Sequence, residues 1–397
     1  MQWSKTLRTA VRFAHARVSP EGCDARLSQS SGRMRAWRVH TYGELSELRL
    51  EDARVPPLRT PDEVLVRVTA ASINPIDVAM IGGYGSRALN VLRALDGVGD
   101  VEFPLVPGRD FVGIVERTGP ATRLHVGQRV WGVVPPHRQG SHAEYVVVKD
   151  QWAGPAPTIL DETSAGGALY GALTACAALR AAGLQASASG PGRPRVLLLG
   201  LGGVGQAALQ LLVHRHAEVS VGCSSDLMPL ALQLGATQVF DRHQEDYSRC
   251  LEENGPYEVI LDCAGLGGDE ATARAWRFSR YVTLTTPLLR HMDARGVAPG
   301  AACAAVTLLA QGARAALQAV KPATPAPPTL LPPHVRWAFF APNADDIEML
   351  RTLAERRKFV VQVEKTYPML DADHAYERAA KGSARGKLVL SWTSSSY

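Results

Sequence analysis

The residues whose spacing most clearly implies chemistry are the glycines of Gly200-Leu-Gly202-Gly203-Val204-Gly205. This G-x-G-x-x-G run follows a short apolar segment, Arg195-Val-Leu-Leu-Leu, and leads into an Ala/Leu-rich one starting at Gln206. The pattern by itself is common; flanked by a strand and a helix it predicts a dinucleotide pyrophosphate site. Each glycine then has its own task. Gly200 permits the tight turn, Gly202 lets the pyrophosphate reach the backbone, and Gly205 lets the helix lie close to the strand. The free N–H groups and the dipole at the helix start hold the anion.

Which dinucleotide enters depends on the tip of the next strand, Glu218-Val-Ser-Val-Gly-Cys223. An acidic residue there would hold a ribose 2′-hydroxyl. Here Ser224 and Ser225 follow the strand, Glu218 stands at its start and Asp226 beyond the serines. Small hydroxyls leave room for a 2′-phosphate, and Arg242, after the third strand, offers it a cation. NADPH is the expected cofactor. For Arg242 the plainer reading, a solvated surface arginine, stays open.

No metal is expected. A zinc dehydrogenase needs a Cys/His/acid ligand set, and between Cys23 and Cys176 there is no cysteine to partner His125, His137 or His142. The six cysteines form no CxxC pair, which fits free thiols in a reducing compartment.

The elements that must position these residues fall into two styles. From about Met34 to Pro157, short β-branched runs alternate with Gly and Pro, as in Val64-Leu-Val-Arg-Val-Thr and Arg129-Val-Trp-Gly-Val-Val. That spacing predicts a β-rich, barrel-like unit. From about Thr163, Ala/Leu helices alternate with apolar strands at 195, 218, 238, 258 and 281, the rhythm of an α/β, doubly wound parallel sheet. Pro322 to Pro333 reads as a loop, and the tail from about Lys358 returns to β-like runs. Arg336-Trp-Ala-Phe-Phe is a candidate edge strand that could extend a sheet across a homodimer.

Composition narrows the function further. The chain has 397 residues, 46% apolar and 20% charged, as expected of a globular protein. Its net charge is +5, and residues 1–35 alone carry seven basic and two acidic side chains. The rest is neutral, which argues against a nucleic-acid-binding body. The Arg-rich, acid-poor, Ser-containing head, residues 1–34, resembles a mitochondrial presequence rather than a secretory signal. No transmembrane segment is expected. The Ala-rich run near 297–320 is broken by Gln311 and Arg314, predicting a buried or amphipathic helix.

Two further stretches carry a family resemblance. They are Ala71-Ser-Ile-Asn74-Pro75-Ile-Asp77 with Gly83-Tyr84-Gly85, and Val106-Pro-Gly108-Arg-Asp110-Phe-Val-Gly113. Their N-P-x-D and P-G-x-D-x-x-G patterns resemble the zinc-independent quinone oxidoreductases of the medium-chain dehydrogenase/reductase superfamily. Val133-Val-Pro-Pro-His-Arg-Gln-Gly, Val335-Arg-Trp-Ala-Phe-Phe and Ala384-Arg-Gly-Lys resemble a mitochondrial, reticulon-binding branch of that family, over about Met34 to Leu390.

The resemblance implies a Rossmann domain (163–357) inserted in a GroES-like barrel domain (35–162 plus 358–397). It implies an NADPH reductase of quinones or conjugated carbonyls, located in the mitochondrial matrix or on its membranes and linked to coenzyme Q synthesis. NADPH contacts carry over to Gly202, Gly203, Val204, Ser224, Ala338, Phe339, Arg385, Gly386 and Lys387. The glycine turn is one residue shorter than the branch's usual form, and Arg242 stands where a tyrosine is common. The Pro-rich insertion is foreign to the pattern.

A reduced quinone oxygen is a stable anion that needs little more than a hydrogen bond. Tyr84 is the candidate donor and Asn74 a candidate for orienting the acceptor. Asp77 either ties its loop together or relays a proton, and Tyr84 could instead be a packing aromatic. Two other functions stay open: reduction of a 2-enoyl thioester, and NADPH binding by a non-catalytic interaction protein.

Overall fold

The computed structural model describes residues 32–97, 101–184, 193–319 and 333–392. The expected presequence lies outside these residues, as does the Pro-rich stretch apart from Pro333. Fifteen strands are present among the described residues. A hairpin, β1 (Arg33–Arg38) and β2 (Arg49–Arg54), precedes β3 (Glu63–Ile73), β4 (Asp110–Thr118), β5 (Arg129–Val133), β6 (Tyr145–Lys149) and β7 (Ala153–Pro155). Then follow β8 (Arg195–Leu199), β9 (Glu218–Cys223), β10 (Gln238–Asp241), β11 (Tyr257–Asp262), β12 (Phe278–Thr283) and β13 (His334–Trp337). The chain closes with β14 (Val363–Pro368) and β15 (Lys387–Ser391).

The first style of sequence builds a seven-stranded sheet of order β14-β15-β3-β4-β5-β7, with β6 also on β3. The C-terminal strands therefore join the N-terminal ones, β15 pairing antiparallel with β3 through Leu388–Ile73 to Ser391–Ala70. Trp131 and Phe111 are fully buried in this unit. The second style builds a six-stranded, wholly parallel sheet of order β10-β9-β8-β11-β12-β13. Its central strands are continuous apolar runs, because helices cover both faces. Val196–Leu199 and Val259–Leu261 are all 1% exposed or less. Chain order reverses between β8 and β11, and ligands of such sheets bind at that switch, outside the carboxyl ends.

The helix Val297–Ala319 lies along the edge strand β13 and the helix Leu288–Arg295. It is the one described helix long and apolar enough to cross a membrane. Its covered side holds the small residues Gly300, Ala304 and Ala315 together with Gln311, whose Oε1 accepts from Trp337 Nε1 at 3.1 Å. Val306, Leu309 and Leu317 face outward. The helix thus departs from the expected buried or amphipathic arrangement: close approach to β13 selects small residues and Gln311 for the inner side, and large apolar side chains lie outward.

Candidate active site

The glycine turn leaves β8 with Gly200 at φ +89°, where a side chain would also press on the backbone of Ala264. Gly202 is the N-cap of the helix Gly203–His214. A Cβ on Gly202 would meet nothing within 4 Å, whereas one on Gly205 would overlap the Gly200 carbonyl. One glycine therefore faces open space and the other makes the helix–strand contact, the division of labour a pyrophosphate cradle requires. Gln206, 5% exposed, donates through Nε2 to the Leu201 carbonyl at 3.0 Å and to the Arg385 carbonyl at 3.2 Å. It fastens the Arg-Gly-Lys tail beside the turn.

The other cofactor candidates gather on the same edge, because each follows the carboxyl end of a parallel strand. Ser224 (buried) and Ser225 (exposed) follow β9, Arg242 follows β10, and Ala338 (buried) and Phe339 (45% exposed) follow β13. The Arg242 N–H donates to the Cys223 carbonyl at 2.8 Å, clamping the ends of β9 and β10. Asp262, at the end of β11, is fully buried and accepts from the N–H groups of Ala264, Leu266 and Gly267 and from the Thr283 hydroxyl. Sequence reasoning missed this residue, which shapes the loop opposite the glycine turn.

The tip of β9 differs from the expectation of a carboxylate-free site. The Asp226 carboxylate turns back: the Ser224 hydroxyl bonds to it, and Arg385 Nε sits 2.5 Å from its Oδ2. These contacts hold its pKa below the usual carboxylate range, the Ser224 bond contributing most. The short turn Ser225–Leu227 bends the chain, so a residue three places past the strand still faces its tip.

Lys387 joins the two units. Its side chain passes against Gly203, where a Cβ would lie 3.3 Å from Lys387 Cδ. Its Nζ donates to Asn74 Oδ1 at 2.6 Å and stands 3.8 Å from Asp110 Oδ2. Asn74 Nδ2 in turn donates to Ser72 Oγ (3.3 Å) and Asp110 Oδ1 (3.2 Å). Asp110 also accepts from the Ser72 hydroxyl at 2.6 Å and the Tyr170 N–H at 3.2 Å. Burial raises the Asp110 pKa, opposed chiefly by the Lys387 charge. Asp110 appeared in the sequence as part of P-G-x-D-x-x-G, but nothing local assigned it a partner.

Asp77 is fully buried, and both its oxygens are engaged. Oδ2 accepts from the Asn74 N–H at 2.8 Å; Oδ1 accepts from the Gly108 N–H at 2.8 Å and from Arg109 Nε at 3.3 Å. Arg109, equally buried, also donates to the carbonyls of Val106, Pro135 and Arg138. These contacts join the loops that carry Asn74, Gly108 and Arg109, as the loop-tie reading of Asp77 expects. Tyr84 is half-buried in the turn after the helix Pro75–Ile81, and its hydroxyl has no hydrogen-bond partner among the described residues. Burial raises its pKa, partly offset by Arg290. Tyr170, stacked on Phe340 at 4.4 Å, joins the Lys387 cluster through its backbone N–H to Asp110.

Comparison with known proteins agrees with this architecture. The family description "Alcohol dehydrogenase GroES-like domain" matches residues 60–158, and "Zinc-binding dehydrogenase" matches residues 234–390. The Drosophila melanogaster protein named "NAD(P)H oxidoreductase RTN4IP1, mitochondrial" is 36% identical, over 91% of this chain and 87% of its own length. The Homo sapiens protein of the same name is 35% identical, over 96% of each. Among solved structures, the quinone oxidoreductase from Coxiella burnetii superposes with a TM-score of 0.69 over 91% of this chain and all of that one. At 22% identity that likeness speaks for the fold alone.

The second family description implies zinc, and the described side chains do not fit it. No three or more His, Cys, Asp or Glu residues among them gather as a metal-binding group. The acids near Asn74 are matched instead by fixed cations: Arg109 on Asp77, and Lys387 beside Asp110.

Proposed function

Because this chain belongs to the family of mitochondrial NAD(P)H oxidoreductases to which the fly and human proteins belong, we propose that it is a metal-independent NADPH reductase of quinones or related conjugated carbonyls. The observation that carries the reading is Lys387, which spans from the glycine-turn helix to the Asn74–Asp110 pair and so joins the cofactor cradle to the barrel wall. NADPH supplies the hydride.

The chain's own residues do the rest. The N–H groups of Gly203 and Val204 at the helix start hold the pyrophosphate, and Gln206 keeps the Arg385–Lys387 tail against them. Lys387, Ser72 and Asp110 hold the Asn74 amide in place, and Asn74 orients the acceptor as a fixed part of the barrel wall rather than through a free hydrogen bond. The Tyr84 hydroxyl, without a hydrogen-bond partner among the described residues, donates a hydrogen bond to the acceptor oxygen as that oxygen becomes anionic. With its pKa raised, the phenol stays protonated at neutral pH and can donate. Asp77 and Arg109 hold the three loops that frame this wall.

Supply of reduced quinone to coenzyme Q synthesis is the setting this reading adopts, and a reticulon-family partner would be an association outside catalysis. The test is NADPH oxidation by the purified chain with a short-chain ubiquinone analogue and, separately, with a 2-enoyl thioester. Turnover with the quinone alone is expected. Turnover with the thioester alone reassigns the substrate, and tight NADPH binding without turnover on either makes the chain a binding protein.

A further inference from the structure

Two exposed charges, Asp226 and Arg385, pair just beyond β9, the strand tip at which a Rossmann site reads the ribose 2′ group, and Arg242 follows the neighbouring strand β10. Asp241 is the register partner of Cys223, the last residue of β9, and the Arg242 N–H donates to the Cys223 carbonyl at 2.8 Å, so both stand beside the strand tip that Asp226 follows. Of these, Asp241 is engaged by the His243 N–H at 3.0 Å. Arg242 Nε is turned to His243 Nε2 at 3.3 Å. Arg385 instead points its guanidinium at Asp226, with Nε–Oδ2 at 2.5 Å and the two side chains 46% and 49% exposed.

The Arg385 backbone is pinned independently of its side chain. Its N–H donates to Glu364 Oε2 at 2.5 Å, and its carbonyl accepts from Gln206. The guanidinium can therefore leave Asp226 without moving the tail. An ion pair this exposed is weak, because water competes for both members.

We infer that Asp226 is a specificity-determining residue which, by holding Arg385 in an openable ion pair at the end of β9, lets one site accept both NADH and NADPH. This inference rests on the dinucleotide reading above. With NADH, the Asp226 carboxylate accepts a hydrogen bond from the ribose 2′-hydroxyl, the usual task of an acid at this strand tip. With NADPH, the 2′-phosphate takes Arg385 from Asp226, the planar guanidinium being well suited to a phosphate. Asp226 then stands as a like charge beside the phosphate and lowers the gain. The carboxylate thus favours one ligand and taxes the other, narrowing the gap between them.

The test measures dissociation constants for NADPH and NADH by quenching of tryptophan fluorescence, with 2′,5′-ADP and 5′-AMP as fragments that lack the nicotinamide. The proteins are the full chain, Asp226→Asn and Arg385→Gln. Asp226→Asn removes one charge from an exposed turn, and circular dichroism checks its fold. The inference expects Asp226→Asn to raise the NADPH-over-NADH preference about tenfold, the size of one close charge contact near a surface. It expects 2′,5′-ADP to follow NADPH. Arg385→Gln should weaken NADPH and 2′,5′-ADP while leaving NADH within about twofold. A preference unmoved by Asp226→Asn, in a chain that binds both dinucleotides, overturns the inference and leaves the reductase reading intact. Failure of the unsubstituted chain to bind either dinucleotide overturns both.

Discussion

Gly202 and Gly205 stand three residues apart in one turn, yet the structure predicts opposite consequences for adding a side chain. At Gly202 a Cβ meets nothing within 4 Å, and the backbone, at φ −73° and ψ −170°, is one any residue adopts. Gly202→Val should therefore cost only the change of N-cap, about 0.5 kcal/mol. It would, however, fill the space through which the pyrophosphate approaches. Losing two charge-assisted hydrogen bonds to the helix start costs about 3 kcal/mol or more, roughly a 100-fold rise in the NADPH dissociation constant. At Gly205 the added carbon overlaps the Gly200 carbonyl, which is backbone and cannot swing away. Overpacking of this kind costs about 1–3 kcal/mol or more, and the better helix propensity of alanine returns about 1 kcal/mol. A Cβ pressed onto a carbonyl oxygen belongs at the upper end of the overpacking range, which leaves a net loss of about 2 kcal/mol and lowers Tm by about 4–8 °C for a cooperative unit of 150–250 residues. The assays are a thermal melt and a fluorescence titration with NADPH on both variants. Gly202→Val should melt within about 2 °C of the unsubstituted chain and bind poorly. The reasoning fails if Gly202→Val binds NADPH within threefold of the unsubstituted chain, or if Gly205→Ala melts unchanged.

Replacing Tyr84 by Phe should lower quinone turnover about 10–100-fold, the range of one lost transition-state hydrogen bond, with the NADPH dissociation constant unchanged; unaltered kcat would remove Tyr84 from the chemistry. Asp77→Ala should destabilise the fold by about 3–5 kcal/mol in urea unfolding, because it strands the buried Arg109. Asp77→Asn, which keeps an acceptor, should retain turnover per folded molecule, and its selective loss would restore the proton-relay role. The buried His142 accepts from the Tyr376 hydroxyl at Nδ1 (2.8 Å) and donates from Nε2 to the Ser72 carbonyl (3.2 Å), and burial lowers its pKa to about 4. The unfolded chain takes up a proton near pH 6.5 and the folded chain only near 4, so this stabilisation is complete above about 6.5 and is lost as pH falls toward 4. At pH 5 the loss should reach about 2 kcal/mol. Urea midpoints at pH 7.5 and 5 should show it, and His142→Gln should flatten the dependence; an equal slope in the variant would place the titration elsewhere.

Local features carried the fold. The apolar runs at 195, 218, 238, 258 and 281 became strands of the parallel sheet because burial on both faces demands continuous apolar sequence. The G-x-G-x-x-G turn took its form because the positive φ at Gly200 and the close approach at Gly205 are constraints written within six residues. Tertiary structure alone decided the partners. Lys387 reaches Asn74 across 313 residues because β15 returns to pair with β3. Asp226 meets Arg385 because Gln206 draws the tail to the glycine turn. Nothing in the spacing says which of 43 basic side chains will face which of 38 acidic ones. A charge acts through space over a few ångströms, and only the folded path of the chain sets those distances. For the same reason the sequence left Asp77 between a loop tie and a proton relay, and only the folded chain shows the partners of its two oxygens, Asn74, Gly108 and Arg109.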